Sequence, residues 1–200
     1  MRLGVFGGTF DPPHVGHLLV AADAMEVLEL EHVAFVPAAT QPLKAGAISA
    51  ADADRLAMTR LLVGDDPRFA VDPIEIERGG LSFMVETLGA LANRWTGAEL
   101  FLLVGADVLS SFHRWREPEA VRRLATLAVL TRADGPDAAD VADVPGTGTA
   151  LIGGPPRVVR TRRVDVSSTE IRRRVRQGQS IRGFVPESIA DFIESARLYR

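Results

Sequence analysis

The chain predicts a doubly wound α/β fold, a mostly parallel sheet with helices on both faces. Three observations point there. Short apolar runs alternate with amphipathic ones from the first residues onward. The runs "RLGVF", "ELFLLVGAD" and "TLAVLTR" are continuously apolar, as buried parallel strands are. And "GVFGGTFDPPHVGH" (4–17) reads as a strand, a glycine turn and a helix start, the opening of a right-handed βαβ unit.

Taken in order, residues 2–6 predict the first strand and "HVGHLLVAADAMEVLEL" (14–30) the first helix. Its helical spacing puts Val15, Leu18, Leu19, Ala22, Met25, Val27 and Leu28 on one face. Residues 32–37 predict a strand stopped by Pro37, and 38–49 a loop of small residues. Residues 50–66 predict a helix ended by a glycine. "FAVDPIEIER" (69–78) reads as an extended segment near a sheet edge, because of its proline. Residues 82–95 predict a helix with Ser82 as N-cap. Residues 99–107 give the strongest strand pattern, followed by a short helix over 118–125 and a strand over 126–132. Residues 133–156, rich in Asp, Ala, Gly and Pro, predict a loop. Then come a strand over 157–167, a helix over 168–178 closed by Gly178, and a last helix over 185–199 with Pro186 near its start. The expected organisation is one domain over 1–200 with a small C-terminal helical part from about 167 to 200.

Composition narrows the chemistry. The 200 residues are 46% hydrophobic and 24% charged, and none is cysteine. That excludes disulfides, thiol catalysis and thiolate metal sites. The N-terminal residues lack a secretory pattern, and no apolar run approaches the ~20 residues of a membrane span; the expectation is a cytoplasmic protein with no membrane partner. Net charge is −3, so no nucleic-acid partner is expected. One local excess stands out: arginines at 157, 160, 162, 163, 172, 173, 174, 176 and 182, most of which read as a solvated face.

The first turn carries the strongest functional signal. Gly7 and Gly8 permit φ > 0 and close approach to the backbone. A helix start beyond them offers N–H groups and roughly +0.5 charge to a phosphate. His14 and His17 are three residues apart, about 60° around the axis and roughly 4.5 Å along it, so both rings project from the same side of the first turn, and Gly16 leaves them room. Neither G-x-x-x-x-G-K-[ST] nor G-x-G-x-x-G is present, so the phosphate would be held by imidazole and backbone N–H donors. A metal pair lacks the further ligands that zinc needs. A purely structural pair of histidines is the other alternative.

"GGTFDPPHVGH" resembles the signature of the nucleotidyltransferases with an H-x-G-H motif, and "VSSTEIRRRV" (166–175) resembles their second signature at a late strand–helix junction. Within that superfamily the chain is most similar to the bacterial nicotinate-nucleotide adenylyltransferases. The likeness runs through "FVPAATQPLK", "DRLAMTRLL", "ERGGLSFMVETL", "LLVGADVLSSFHRW" and "GFVPESIADFIESARLY".

The resemblance implies a Rossmann-like fold, ATP and nicotinate mononucleotide as substrates, and Mg²⁺ accompanying ATP with few or no protein ligands. It implies that Gly7, Gly8, Thr9 and Phe10 lie against phosphates and that His14 and His17 donate to ATP phosphates. Lys44 would approach the leaving phosphates and Arg172 the β/γ end, beside Ser167, Ser168 and Thr169, one of which is also an N-cap. Gly105 and Asp107 would meet the adenosine. Phe83 and Met84 would face the pyridine substituent, and Trp115 would stack on the ring. Met84 departs from the pattern, which has a threonine there; the missing hydroxyl would weaken a hydrogen bond to the nicotinate carboxylate by ~1.5–3 kcal/mol. Backbone amides or Arg132 would compensate. Nicotinamide mononucleotide and phosphopantetheine are the alternative acceptors. Oligomeric state is left open.

Overall fold

The computed structural model describes residues 1–40, 50–131 and 156–200. In chain order the elements are β1 (Arg2–Gly8), α1 (Val15–Leu28), β2 (His32–Pro37), α2 (Asp52–Val63), β3 (Phe69–Val71), α3 (Ile74–Arg78), α4 (Met84–Arg94), β4 (Glu99–Gly105), α5 (Ala106–Phe112), α6 (Pro118–Leu124), β5 (Thr126–Thr131), β6 (Arg157–Arg160), α7 (Ser168–Arg176) and α8 (Glu187–Ser195). The strands form one six-stranded sheet in the order β3-β2-β1-β4-β5-β6. The β1–β4, β4–β5 and β5–β6 pairs are parallel, with Arg2 opposite Glu99, Phe101 opposite Thr126 and Ala128 opposite Arg157. The order reverses between β1 and β4, as in doubly wound folds.

The chain divides into two compact units. The first comprises Met1–Gly7, Val20–Ala34 and Phe83–Arg163. Its core is the apolar run of β4, Leu100–Val104, with Val5, Leu88 and Val129. Asp23 of α1 accepts from both the backbone N–H (2.8 Å) and the guanidinium (2.6 Å) of Arg162. The second unit comprises Gly8–Leu19, Phe35–Ser82 and Val164–Arg200. Its core joins Phe35, Met58, Leu62, Ile171 and Ile189, and the Phe35 ring meets Phe10 at 5.8 Å and Phe69 at 5.9 Å.

Most expected elements are present, and the differences have local causes. The segment expected to be extended over 69–78 is strand only to Val71; the Asp72 carboxylate then accepts the N–H of Ile74 (3.1 Å) and turns the chain into α3. β3 does lie at the sheet edge. β6 ends at Arg160, not 167. Thr161 still donates to Thr131 O (2.8 Å), and the Arg162 N–H beyond it goes to Asp23 (2.8 Å). β4 stops at Gly105 and is followed directly by α5, a seven-residue helix not anticipated. Ser82 is not the N-cap of α4; that position is Phe83, without a side-chain cap, and the Ser82 hydroxyl accepts from Ala39 N–H (3.0 Å) instead. The buried stripe of α1 is Ala21, Ala24, Met25 and Leu28, while Val27 is 56% exposed. The loop expected over 133–156 falls outside the described residues except for Pro156.

The Asp23–Arg162 pair holds the end of the β6 segment, and its doubled hydrogen bonding keeps the Asp23 carboxyl below its ordinary pKa. Asp23→Asn should lower the unfolding free energy by about 1–2 kcal/mol, measured as a shift in urea midpoint at neutral pH; an unchanged midpoint would show that the pair is solvent-screened and holds nothing.

Candidate active site

The first turn is built by close packing. Neither Gly7 nor Gly8 has a positive φ, so the expectation that they supply left-handed backbone does not hold. Their role is the other one expected, close approach. A Cβ on Gly8 would lie 2.9 Å from the Phe10 ring, and one on Gly7 would lie 2.7 Å from the Met84 methyl. The left-handed residue is Phe10 itself, at φ 50°, held by burial to 2% exposure. Strain of this kind persists where surrounding contacts over-determine it, and it gathers at functional sites.

Three carbonyls of the turn are captured by side chains from elsewhere in the second unit. Arg55 donates to Thr9 O (2.7 Å), Arg172 to Asp11 O (2.6 Å) and the Ser168 hydroxyl to Pro12 O (2.8 Å). Arg55 is fully buried; it also donates to Ala39 O (3.2 Å) and pairs with Asp52 (2.6 Å). Ser167 is the N-cap of α7, accepting from Glu170 N–H (3.2 Å), and Thr169 accepts from Arg172 (3.4 Å). Arg55 was not foreseen as part of this turn. Its place in "DRLAMTRLL" gives no local hint of a partner 46 residues away.

The histidines come together as their spacing predicts. Their rings stack with centroids 3.7 Å apart and planes 27° apart. The His14 ring lies across Gly16, where a Cβ would be 3.0 Å from its Nδ1, so the glycine does leave room. The Phe10 ring meets His17 edge-on at 5.1 Å. The backbone N–H of His14 donates to Nδ1 of His17 (3.1 Å). A neutral His17 with that nitrogen accepting carries its proton on Nε2. Burial lowers the His14 pKa to about 4; burial and then the neighbouring His14 lower that of His17 well below 6.5. At neutral pH the site therefore presents uncharged imidazoles. Nδ1 of His14 is buried with no hydrogen-bond partner, a cost of roughly 1–3 kcal/mol that a ligand at this ring could relieve.

Rings stacked face to face do not converge on one cation, and among the described residues no group of three or more His, Cys, Asp or Glu could hold a metal. His32 and His113 are exposed. Among the clustered arginines, Arg162 pairs with Asp23, Arg173 with Glu170, Arg174 with Ser180 O and Arg182 with Glu187.

The first unit holds the other expected site residues. Gly7 faces Met84, the first residue of α4. The Arg116 guanidinium lies 4.6 Å from the Phe83 ring centroid and pairs with Glu86 (3.0 Å). Trp115 is half-buried against Phe112, 5.3 Å between centroids. Asp107, in the first turn of α5 rather than in the strand, folds over Gly105, where a Cβ would be 2.6 Å from its Oδ1. Lys44 and Arg132 lie outside the described residues.

The neutral histidines make stability depend on pH. His14 takes a proton near 6.5 when unfolded and near 4 when folded, so the unfolded state binds more protons between those values and stability falls as pH drops through them. Going from pH 6.5 to 4.5, the wild type should lose about 2 kcal/mol more than His14→Asn, read from urea unfolding at each pH. Equal losses would mean that His14 is not held neutral.

A profile of the cytidylyltransferase-like family matches residues 5–174. A protein of Gemmatimonas aurantiaca described as a probable nicotinate-nucleotide adenylyltransferase is 50% identical over 200 residues, covering all of this chain and 93% of its own. One of Thermus thermophilus with the same description is 41% identical over 201 residues and covers both chains completely. Two solved structures of the Plasmodium falciparum nicotinic acid mononucleotide adenylyltransferase, complexed with APC and with NaAD, superpose with a TM-score of 0.75. The first is 13% identical, covering 99% of this chain and 96% of that one. The second is 14% identical, covering 99% and 97%, and at such identity both show the fold alone. With the doubly wound sheet, the H-x-G-H turn and relatives matched from end to end, the chain belongs to the nicotinate-nucleotide adenylyltransferase family of the cytidylyltransferase-like nucleotidyltransferases.

Proposed function

We propose that this chain transfers the adenylyl group of ATP to nicotinate mononucleotide, giving nicotinate adenine dinucleotide and pyrophosphate. The observation that carries the reading is the stacked, uncharged His14–His17 pair at the start of α1, in a chain whose relatives of that description align along its whole length.

The chemistry asks for positioning rather than for a base. A phosphate monoester with its second pKa near ~6 is mostly dianionic at neutral pH. One of its oxygens attacks the α-phosphorus of ATP, the bond from that phosphorus to the β-bridging oxygen breaks, and pyrophosphate leaves with the electron pair. The protein brings two polyanions together, which supplies on the order of 7–11 kcal/mol when the approach is well aligned. In this reading the Nε2 proton of His17 donates to the transferred phosphate and His14 to its neighbour. A neutral donor suits the task, since it strengthens as charge develops without binding the ground-state polyanion as tightly as a cation would. Backbone at Gly7, Gly8, Thr9 and Phe10 lines the phosphates. Arg172 takes the β/γ end with donors beyond those used on Asp11 and Thr169. Ser167, Ser168 and Thr169 present the α7 N-terminus.

Gly105 and Asp107 meet the adenosine, the carboxylate accepting from ribose hydroxyls. Trp115 stacks on the pyridine, and Phe83 and Met84 face its substituent. Lys44 and Arg132 complete the set on the strength of the sequence resemblance. Mg²⁺ accompanies ATP as part of the substrate, and no step is assigned to it. As an ATP-consuming biosynthetic enzyme, the protein acts in the cytoplasm.

A coupled pyrophosphate assay with nicotinate mononucleotide, nicotinamide mononucleotide and phosphopantetheine tests the reading. Turnover should be fastest with the first; silence with both pyridine nucleotides would overturn it. His17→Ala should fold normally and lose about 10²-fold or more in kcat, and unimpaired turnover would make the histidines structural. Met84→Thr restores a hydroxyl donor and should raise the preference for nicotinate over nicotinamide mononucleotide by about tenfold, measured as the ratio of kcat/KM values. An unchanged ratio would show that position 84 does not read the substituent.

A further inference from the structure

The second unit buries a carboxylate that the proposed mechanism does not use. Asp11 is 2% exposed, and its Oδ1 accepts from the Tyr199 hydroxyl (2.8 Å) and from Ala50 N–H (3.1 Å). Its other oxygen lies 3.9 Å from Arg172 Nη1, and the same guanidinium nitrogen donates to the Asp11 carbonyl at 2.6 Å. One residue thus ties the chain's sole tyrosine to the arginine expected to hold the triphosphate, three positions before His14.

The backbone around this contact is unusual on both sides. Arg197 and Tyr199 have φ of 53° and 64°, and Phe10, beside Asp11, has φ 50°. Left-handed non-glycine residues cost on the order of 1–3 kcal/mol each and persist only where other contacts impose them. The end of α8 is tied by Arg197 N–H to Glu194 O (3.2 Å) and Leu198 N–H to Ile193 O (3.0 Å), a winding that delivers a side chain 8% exposed to Asp11. An anchor for α8 alone could be met by an apolar ring. The hydroxyl aimed at a buried carboxylate, and the arginine on that same residue, are what an anchor does not need. Burial and then the Asp11 charge hold the phenol protonated, so Tyr199 donates and Asp11 accepts.

We propose that Tyr199 is a positioning residue for the triphosphate site: its hydroxyl fixes the buried Asp11 carboxylate, which in turn sets Arg172 in the arrangement that receives ATP. The inference rests on the reading of Arg172 and the two histidines as nucleotide ligands. With the hydroxyl gone, the carboxylate loses its short neutral donor, and it draws the Arg172 guanidinium inward, away from phosphate. The acceptor, read by residues of the first unit, is not affected.

The test uses Tyr199→Phe in the full-length chain. The ring is kept, so the protein should fold. The kcat/KM for ATP should fall about tenfold, while KM for nicotinate mononucleotide stays within twofold. In an Arg172→Ala background the same substitution should change nothing further, because its route to ATP is already removed. A second measurement does not depend on Tyr199→Phe folding. Biosynthetic 3-fluorotyrosine labels position 199 alone, and its single ¹⁹F resonance should shift when an α,β-methylene analogue of ATP is added with Mg²⁺, but not in Arg172→Ala. Full activity of Tyr199→Phe, an equal loss in the Arg172→Ala background, or a resonance indifferent to the analogue would each overturn the proposal. Absence of turnover by the wild type with any pyridine nucleotide would instead overturn the activity itself.

Discussion

The site depends on the capture of the first-turn carbonyls. Between β1 and α1 the chain runs through Thr9, Asp11 and Pro12 with no ladder or helix to take its oxygens, yet much of this stretch is buried. An unpaired buried carbonyl costs roughly 1–3 kcal/mol, so the turn holds its shape only if donors are brought to it. Arg55, Arg172 and Ser168 are those donors. With the oxygens tied, the left-handed Phe10 is tolerated, its ring sits on Gly8 and against His17, and the two imidazoles stack in register.

That packing explains why the imidazoles are uncharged. Two cationic rings 3.7 Å apart in a buried setting would repel strongly, and both burial and mutual proximity act against protonation. The consequence reaches the chemistry. A fixed cation would bind reactants and transition state alike, which lowers KM without raising kcat. A neutral N–H, aimed by an amide that occupies the other ring nitrogen, gains most where negative charge builds up. In the proposed reading positive charge enters through Arg172, whose tie to Asp11 keeps it beside the turn.

The parts legible in the sequence were those encoded locally. The His14–His17 pair needs only helical spacing and a glycine between, and both are visible in "HVGH". The parallel, doubly wound class followed from alternation and handedness. What was not legible is pairing over long separations: Ser168 with Pro12, Arg172 with Asp11 and Tyr199 with Asp11 are 156, 161 and 188 residues apart. Arg55 in particular looks like a surface arginine in an amphipathic helix, and only the fold shows it fully buried. α5 was hidden because seven residues are too few for a helical period to emerge after an apolar strand. The glycine pair was half-readable. Sequence shows that a side chain is unwelcome there, but whether backbone twist or a neighbouring ring forbids it is decided by Phe10 and Met84.

The Gly7–Met84 contact shows how one substitution can be absorbed by shape while changing chemistry. The thioether methyl of Met84 fills the space that a Cβ on Gly7 would need, so the longer side chain fits without displacing β1. A threonine at 84 would be shorter and would leave part of that space empty, in exchange for a hydroxyl that can donate. The position therefore sets packing against polarity: the methionine gives up a directional donor and gains dispersion contact at the end of the first strand. In the proposed reading the cost of that trade falls on recognition of the pyridine substituent at residue 84.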